Sequence, residues 1–257
     1  MISPLAYVNP EAQIGENVEI GPFCYIDKGV VIGDNCELMP HATVLYGTTM
    51  GKGNQVFPGA VIGAIPQDLK FKGEDTTLVI GDNNRIRENV TLNRGTASKG
   101  TTIIGSGNLL MEGVHIAHDC VIGSNCILGN QTKIAGEVVI DDFATLSSTV
   151  LVHQFCHIGS YVMVRGGSLC PKDIPPFIMA AKEPLAFMGL NLVGLRRRGF
   201  DDGKIARIHS AYRTIYLSKM NVTQAITALK QDSIAEYPEI QYIISFVEHS
   251  ERGIIRD

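Results

Sequence analysis

No two cysteines stand at CxxC spacing, no basic stretch leads into an apolar run at the start, and charge of one sign is nearly balanced. The six cysteines therefore do not read as the disulfide framework of a short secreted domain, and Met1-Ile2-Ser3-Pro4 does not read as a secretion signal. The apolar segment 177–195 is interrupted by Lys182 and Glu183, which argues against a membrane span. A cytoplasmic protein without stable membrane insertion is expected. A formal net charge of −4 and a pI of about 6.0 give no general attraction for nucleic acid, so any basic site must be a local patch. At 257 residues the chain can bury a sizeable core, and its length leaves one or two domains open.

What the sequence does have is a period of six. From Val8 an aliphatic residue recurs at Ile14, Ile20, Ile26, Ile32, Leu38, Val44, Met50, Val56 and Ile62. The same register resumes at Ile80, Ile86 and Leu92, and again from Ile104 to Val164, broken only at Asp68, Glu74 and Ser98. Six fits neither a 3.6-residue helix nor a two-faced strand, whereas three hexapeptides closing a triangular coil make an 18-residue turn of parallel β-helix. Residues 18 apart are then stacked. Glycine often follows the aliphatic position, as in Ile32-Gly33 and Ile122-Gly123, which suits corners needing permissive backbone angles. Four places after the aliphatic the residue is usually small; Cys24, Cys36, Cys120, Cys126 and Cys156 fall there, as apolar filling in preference to redox groups.

Two stretches, 63–79 and 93–102, leave the rhythm and re-enter in register; loops on a rigid scaffold are natural functional sites. After Pro171, Pro175, Pro176 and Pro184 the rhythm ends. Asp201 or Asp202 can cap a helix with Ile205, Ile208, Tyr212 and Ile215 on one face, Thr223 can cap a second, and Pro238 suits the first turn of a third that stops near Gly253. The expected division is a solenoid over 1–183 and a helical domain over 184–257, the latter small for independent folding.

The segment Met111-Glu112-Gly113-Val114-His115-Ile116-Ala117-His118-Asp119-Cys120 flanks an inward Ile116 with two histidines and an aspartate. Stepping by 18 from His118 gives Gly136 and then Gln154, with His153 beside the column. Histidine, with an ordinary pKa of about 6.5, can remove a hydroxyl proton, and a glycine N–H can stabilise a thioester oxyanion. Asp119 would orient or polarise the imidazole. The same spacing is compatible with histidines that only decorate an exposed face, or with zinc held by His115, His118, His153 and His157 between subunits. Gln67-Asp68-Leu69-Lys70 could grip a polar ligand or be solvated, and Arg196-Arg197-Arg198 could bind phosphate or an acidic carrier or form a solvated basic turn.

Taken with the repeats, the motifs Gln67-Asp68-Leu69-Lys70, Asn93-Arg94-Gly95-Thr96, Ala117-His118-Asp119-Cys120, Val152-His153-Gln154-Phe155-Cys156 and the run from Gly194 to Phe200 resemble the acyl-carrier-protein:UDP-N-acetylglucosamine O-acyltransferase family over essentially the whole chain. The resemblance implies a left-handed parallel β-helix with a small C-terminal α-helical domain, a homotrimer with clefts between subunits, and no cofactor or metal. It also implies transfer of an (R)-3-hydroxyacyl group from acyl carrier protein to the glucosamine 3-hydroxyl of UDP-N-acetylglucosamine, the opening step of lipid A biosynthesis.

By the same resemblance His118 is expected as general base, Asp119 as its partner and Gly136 as oxyanion donor. Asp68, Lys70, Gln67, His115, His153, Gln154, Asn191 and Arg198 are expected at the sugar nucleotide, with Arg197 serving nucleotide phosphates or carrier protein. Gly166 matches the place where glycine leaves the acyl groove open, implying a long acyl chain. Asn93 and Glu137 depart from the family pattern, which has histidine at both places. A sister enzyme that acylates an amine carries a separate N-terminal uridine-binding domain, for which repeats starting at Val8 leave no room. A β-helical carbonic anhydrase would need zinc, and a purely structural solenoid would leave the loops and the polar column without a role.

Overall fold

Each hexapeptide supplies one inward aliphatic on a very short strand, followed by a corner. In the computed structural model, which describes residues 1–256, these strands assemble into three parallel walls. One wall has nine strands, from Tyr7–Val8 to Leu169–Cys170, and a second has eight, from Gln13–Ile14 to His157–Ile158. The third has ten, from Glu19–Ile20 to Ile178–Ala181 and Ala186–Leu190. Up to Ile178–Ala181, consecutive strands belong to different walls, so the chain turns a corner after each. Tyr25 pairs with Thr43, His115 with Lys133 and Lys133 with Leu151, each 18 residues on. The result is a triangular parallel β-helix.

Inside it the aliphatic ladder is dry: Ile26, Val44, Ile62, Leu92, Ile116 and Ile134 have no exposed surface. Burial of each such side chain contributes about 1.5–3 kcal/mol before ordering entropy is subtracted. All six cysteines are free and buried. Burial pushes the Cys120, Cys126 and Cys170 thiols up to about 12 and Cys156 up to about 11, which keeps them protonated and unreactive.

Two local expectations are corrected. The glycines that follow the aliphatics do not supply the left-handed corner; Asn17, Asn35, Asn83 and Asn125, two residues later, do so with φ of 55–58°, a conformation asparagine tolerates better than most residues. Those glycines are needed for close stacking instead, since a Cβ on Gly33 would lie 2.7 Å from the Gly51 backbone. The small position is also not uniformly apolar, because Asn54, Asn84 and Asn108 occupy it in three coils and are almost fully buried. Asn54 Oδ1 accepts from Asn84 N and Nδ2, Asn84 Oδ1 accepts from Asn108 N, and Asn108 Oδ1 accepts from Cys126 N. The amides thereby bridge successive coils, which makes their burial tolerable.

Val61 pairs with Thr91, 30 residues on, and Thr91 with His115, 24 on. The surplus over 18 is the two escaping loops, and both leave the same corner. The loops brace each other: Asn93 Nδ2 donates to the Ala64 and Ile65 carbonyls, and the Arg94 guanidinium donates to Tyr46 O and lies 5.7 Å from the centres of the Tyr46 and Phe71 rings.

Beyond the solenoid, Ala186–Leu190 pairs antiparallel with Ile178–Ala181, so the third wall runs past 183/184 before four α-helices begin: α1 (Leu192–Arg197), α2 (Asp202–Tyr212), α3 (Val222–Gln231) and α4 (Pro238–Glu248). Asp201 caps α2 by accepting from Lys204 N, and Ile205, Ile208, Tyr212 and Ile215 are buried. Asn221 caps α3 in a reciprocal box with Gln224, so the expected cap at Thr223 lies two residues too late. Pro238 opens α4 as expected, but α4 ends at Glu248, short of Gly253. Tyr212 donates to Pro176 O at 2.6 Å and Tyr242 to Asp141 at 2.5 Å, tying the helices to the last coils. Among the described residues no helix is long and apolar enough to cross a membrane.

Candidate active site

The strand His115–Ile116 ends the wall just before the corner from which both loops escape one coil and two coils earlier. At that corner Asp119 takes φ 60°, and Glu137 and Phe155 repeat the conformation on the next two coils. The turn pulls Asp119 inward until none of its surface is exposed, while His118 keeps 8 %. His118 Nδ1 lies 2.8 Å from Asp119 Oδ2. The other carboxylate partners are donors, Thr96 N at 2.9 Å to Oδ1 and Thr96 Oγ1 at 2.5 Å to Oδ2. A carboxylate so placed accepts from Nδ1–H, and in the neutral imidazole Nε2 then carries the lone pair.

That Nε2 faces two groups. Asp68 Oδ2, on the first loop, lies 3.9 Å away. On the next coil Gly136 sits directly against the ring, where a Cβ would come within 2.5 Å of His118 Cε1 and Nε2. The imidazole thus fills the space that any other residue's side chain would take. Asp68, Lys70, Glu74, Thr96, Ala97, Ser98, Glu137, Gln154 and Phe155 line a cleft of about 230 Å³ beside it. Gln67 is exposed on the same loop, and His153 is exposed one residue before Gln154, its Nδ1 3.0 Å from the Gln154 carbonyl.

The remaining sequence-predicted residues stand elsewhere. His115 lies on the outer face of the nine-stranded wall, 2.6 Å from Thr91 Oγ1; burial, with a smaller contribution from Lys133, holds its imidazole below the ordinary histidine value. Phe143, Tyr161 and Phe177 stack along a second corner. Arg198 lies over Phe143 at 4.6 Å, Asn191 Nδ2 donates to Tyr161 O, and Asn191 Oδ1 caps α1. Arg197 is exposed. Gly166 packs against Ser148 near the third corner. His157 pairs with Asp141 at 2.9 Å, so the four imidazoles weighed for zinc are not gathered within one chain. At the two places where histidine was expected, Asn93 braces the first loop and Glu137 faces Lys99 at 3.9 Å.

Comparison with known proteins identifies the family. A profile described as bacterial transferase hexapeptide (six repeats) matches residues 101–136, and one described as UDP-N-acetylglucosamine O-acyltransferase, domain 2, matches 173–255. The acyl-[acyl-carrier-protein]–UDP-N-acetylglucosamine O-acyltransferase of Pseudomonas fluorescens (strain Pf0-1) is 48% identical over 257 residues, covering 100% of this chain and 99% of its own. The chain belongs to the UDP-N-acetylglucosamine O-acyltransferase family. A crystal structure of a Bacteroides fragilis member superposes with TM-score 0.98 at 62% identity over 100% of both chains. An Arabidopsis member reaches TM-score 0.88 at 36% identity, over 99% of this chain and 100% of its own. The solenoid is accordingly the left-handed parallel β-helix of that acyltransferase family.

Sequence reasoning missed Thr96 and Thr102. Thr96 stands in a motif quoted for its resemblance, yet periodicity gave it no partner because it lies on a loop. Thr102 Oγ1 accepts the Asp119 N–H at 2.8 Å, a contact between an inward-facing residue of one coil and the next corner.

Proposed function

We propose that this chain transfers an (R)-3-hydroxyacyl group from acyl carrier protein to the glucosamine 3-hydroxyl of UDP-N-acetylglucosamine, the first step of lipid A biosynthesis, in the cytoplasm and without a cofactor. The observation that carries the reading is the His118–Asp119 pair set against Gly136. Nε2 of His118 takes the proton of the sugar hydroxyl as its oxygen attacks the thioester carbonyl. The Gly136 N–H stabilises the oxyanion of the tetrahedral intermediate, and collapse breaks the C–S bond, the carrier thiolate recovering the proton from the imidazolium. Asp68, Lys70, Gln67, His115, His153 and Gln154 bind the sugar nucleotide.

The working form is a homotrimer. Within one chain His118 stands at one corner, Asn191 and Arg198 at a second, and Gly166 near a third. Corners of one prism diverge, whereas those of adjacent prisms can face one another across a cleft, so a neighbouring copy supplies Asn191, Arg197 and Arg198 to the phosphates and Gly166 to the acyl groove.

The test is acyl transfer from 3-hydroxyacyl carrier proteins of several lengths to UDP-N-acetylglucosamine. Folded His118→Ala should lose about 10²–10⁴-fold in rate, and Gly166→Met should shift the preference to shorter chains. No transfer at any length rejects the substrates, an active His118→Ala rejects the base, and an unchanged length preference rejects the groove assignment.

A further inference from the structure

Asp119 is fully buried, and no lysine or arginine approaches its carboxylate among the described ion pairs. A buried carboxylate left with a single histidine partner would be free to rotate, and rotation would release the Nδ1 side of the imidazole. The second escaping loop meets this requirement. Thr96 N–H donates to Oδ1 and Thr96 Oγ1–H to Oδ2, so one residue grips both oxygens. The direction of the hydroxyl proton is fixed as well, because the Ser98 N–H donates to Thr96 Oγ1 at 3.2 Å and occupies its acceptor side.

The loop around Thr96 is held for this purpose at both ends. Gly100 N donates to Thr96 O at 2.7 Å and Gly95 N to Thr77 O at 3.0 Å. Gly95 lies so close to the Thr101 backbone that no Cβ fits. From the corner side, Thr102 Oγ1 fixes the Asp119 backbone. The 24-residue coil between Thr91 and His115, six longer than the regular 18-residue coil, is therefore what brings a hydroxyl and an amide over a carboxylate that the next coil turns inward.

We infer that Thr96 is a positioning residue of the acyl-transfer site: it locks the Asp119 carboxylate in the orientation that keeps His118 Nε2 free for the sugar hydroxyl. The inference rests on the assignment of His118 as base. Thr96 reaches His118 through Asp119, both of whose carboxylate oxygens it bonds, and no hydrogen bond joins Thr96 to His118 among those described.

The experiment is a steady-state comparison of wild type, Thr96→Val, Thr96→Ser, Asp119→Asn, the double variant Thr96→Val/Asp119→Asn, and His118→Ala, all on 3-hydroxyacyl carrier protein and UDP-N-acetylglucosamine. Valine keeps the backbone donor and the shape but removes the hydroxyl. Thr96→Val should lose on the order of 10-fold in kcat, within the contribution a positioned base makes, with KM for the sugar nucleotide little changed. Thr96→Ser should restore the rate, and adding Thr96→Val to Asp119→Asn should cost nothing further. Wild-type kcat in Thr96→Val, or full additivity with Asp119→Asn, overturns the inference while an inactive His118→Ala leaves the base assignment standing. Activity in His118→Ala rejects the base itself. Should Thr96→Val not fold, failure of folded Thr96→Ser to retain a near-wild-type rate overturns the inference.

Discussion

Replacing Gly136 by alanine is the sharpest test of the column of residues at the His118 corner. The backbone accepts the change, since the left-handed conformation at this corner belongs to Glu137 and not to Gly136. The new methyl group would lie 2.5 Å from His118 Cε1 and Nε2, whereas carbon contacts settle at about 3.5–4.0 Å. The ring must therefore retreat by roughly 1 Å, a displacement that costs a catalytic group about 10²-fold in rate. The retreat also strains the 2.8 Å contact to Asp119. Stability should suffer less, at most the ~1–3 kcal/mol typical of overpacking, because the imidazole retains some exposure and can swing outward. The assay is kcat at saturating substrates beside a thermal melt, repeated in a His118→Ala background. There the methyl group has no ring to displace, so Gly136→Ala should cost nothing further. Unchanged kcat in the folded single variant, or an equal loss in both backgrounds, would refute the steric argument.

Stability should also depend on pH through His115, whose imidazole is held below the ordinary value by burial and by Lys133. The unfolded chain protonates this histidine at about pH 6.5 while the folded one resists. Stability is thus full above that pH and declines as pH falls toward the depressed folded value. His115→Gln should flatten urea-unfolding stability between about pH 7 and 5; an unaltered slope would exclude His115 as its source. Tyr242→Phe should destabilise by about 1–3 kcal/mol, since the phenol donates to Asp141 and accepts the Ser160 N–H at 2.9 Å. An unchanged denaturation midpoint would mean that this tie between α4 and the coils contributes nothing.

The sequence by itself determined the architecture, because a solenoid repeats its own instructions. Each inward aliphatic is specified within six residues and each stacking partner within 18, so wall, core and the His118-to-Gly136 step are local consequences of period. The buried cysteines follow from the same count. The buried asparagines at 54, 84 and 108 did not, since whether a polar amide can stand in a core depends on acceptors supplied by neighbouring coils. Tertiary structure alone decided what the loops do. Their 12 and 6 surplus residues carry no period, and Asp68 and Thr96 reach the His118 corner only through contacts with residues 23 to 50 positions away. Tertiary structure also separated Arg198 and Asn191 from His118 by sending them to another corner. Gly166 turns at its own corner by the six-residue count, but Asn191 and Arg198 lie at the two ends of α1, beyond the coils, and only contacts with Tyr161 and Phe143 place them at the second corner.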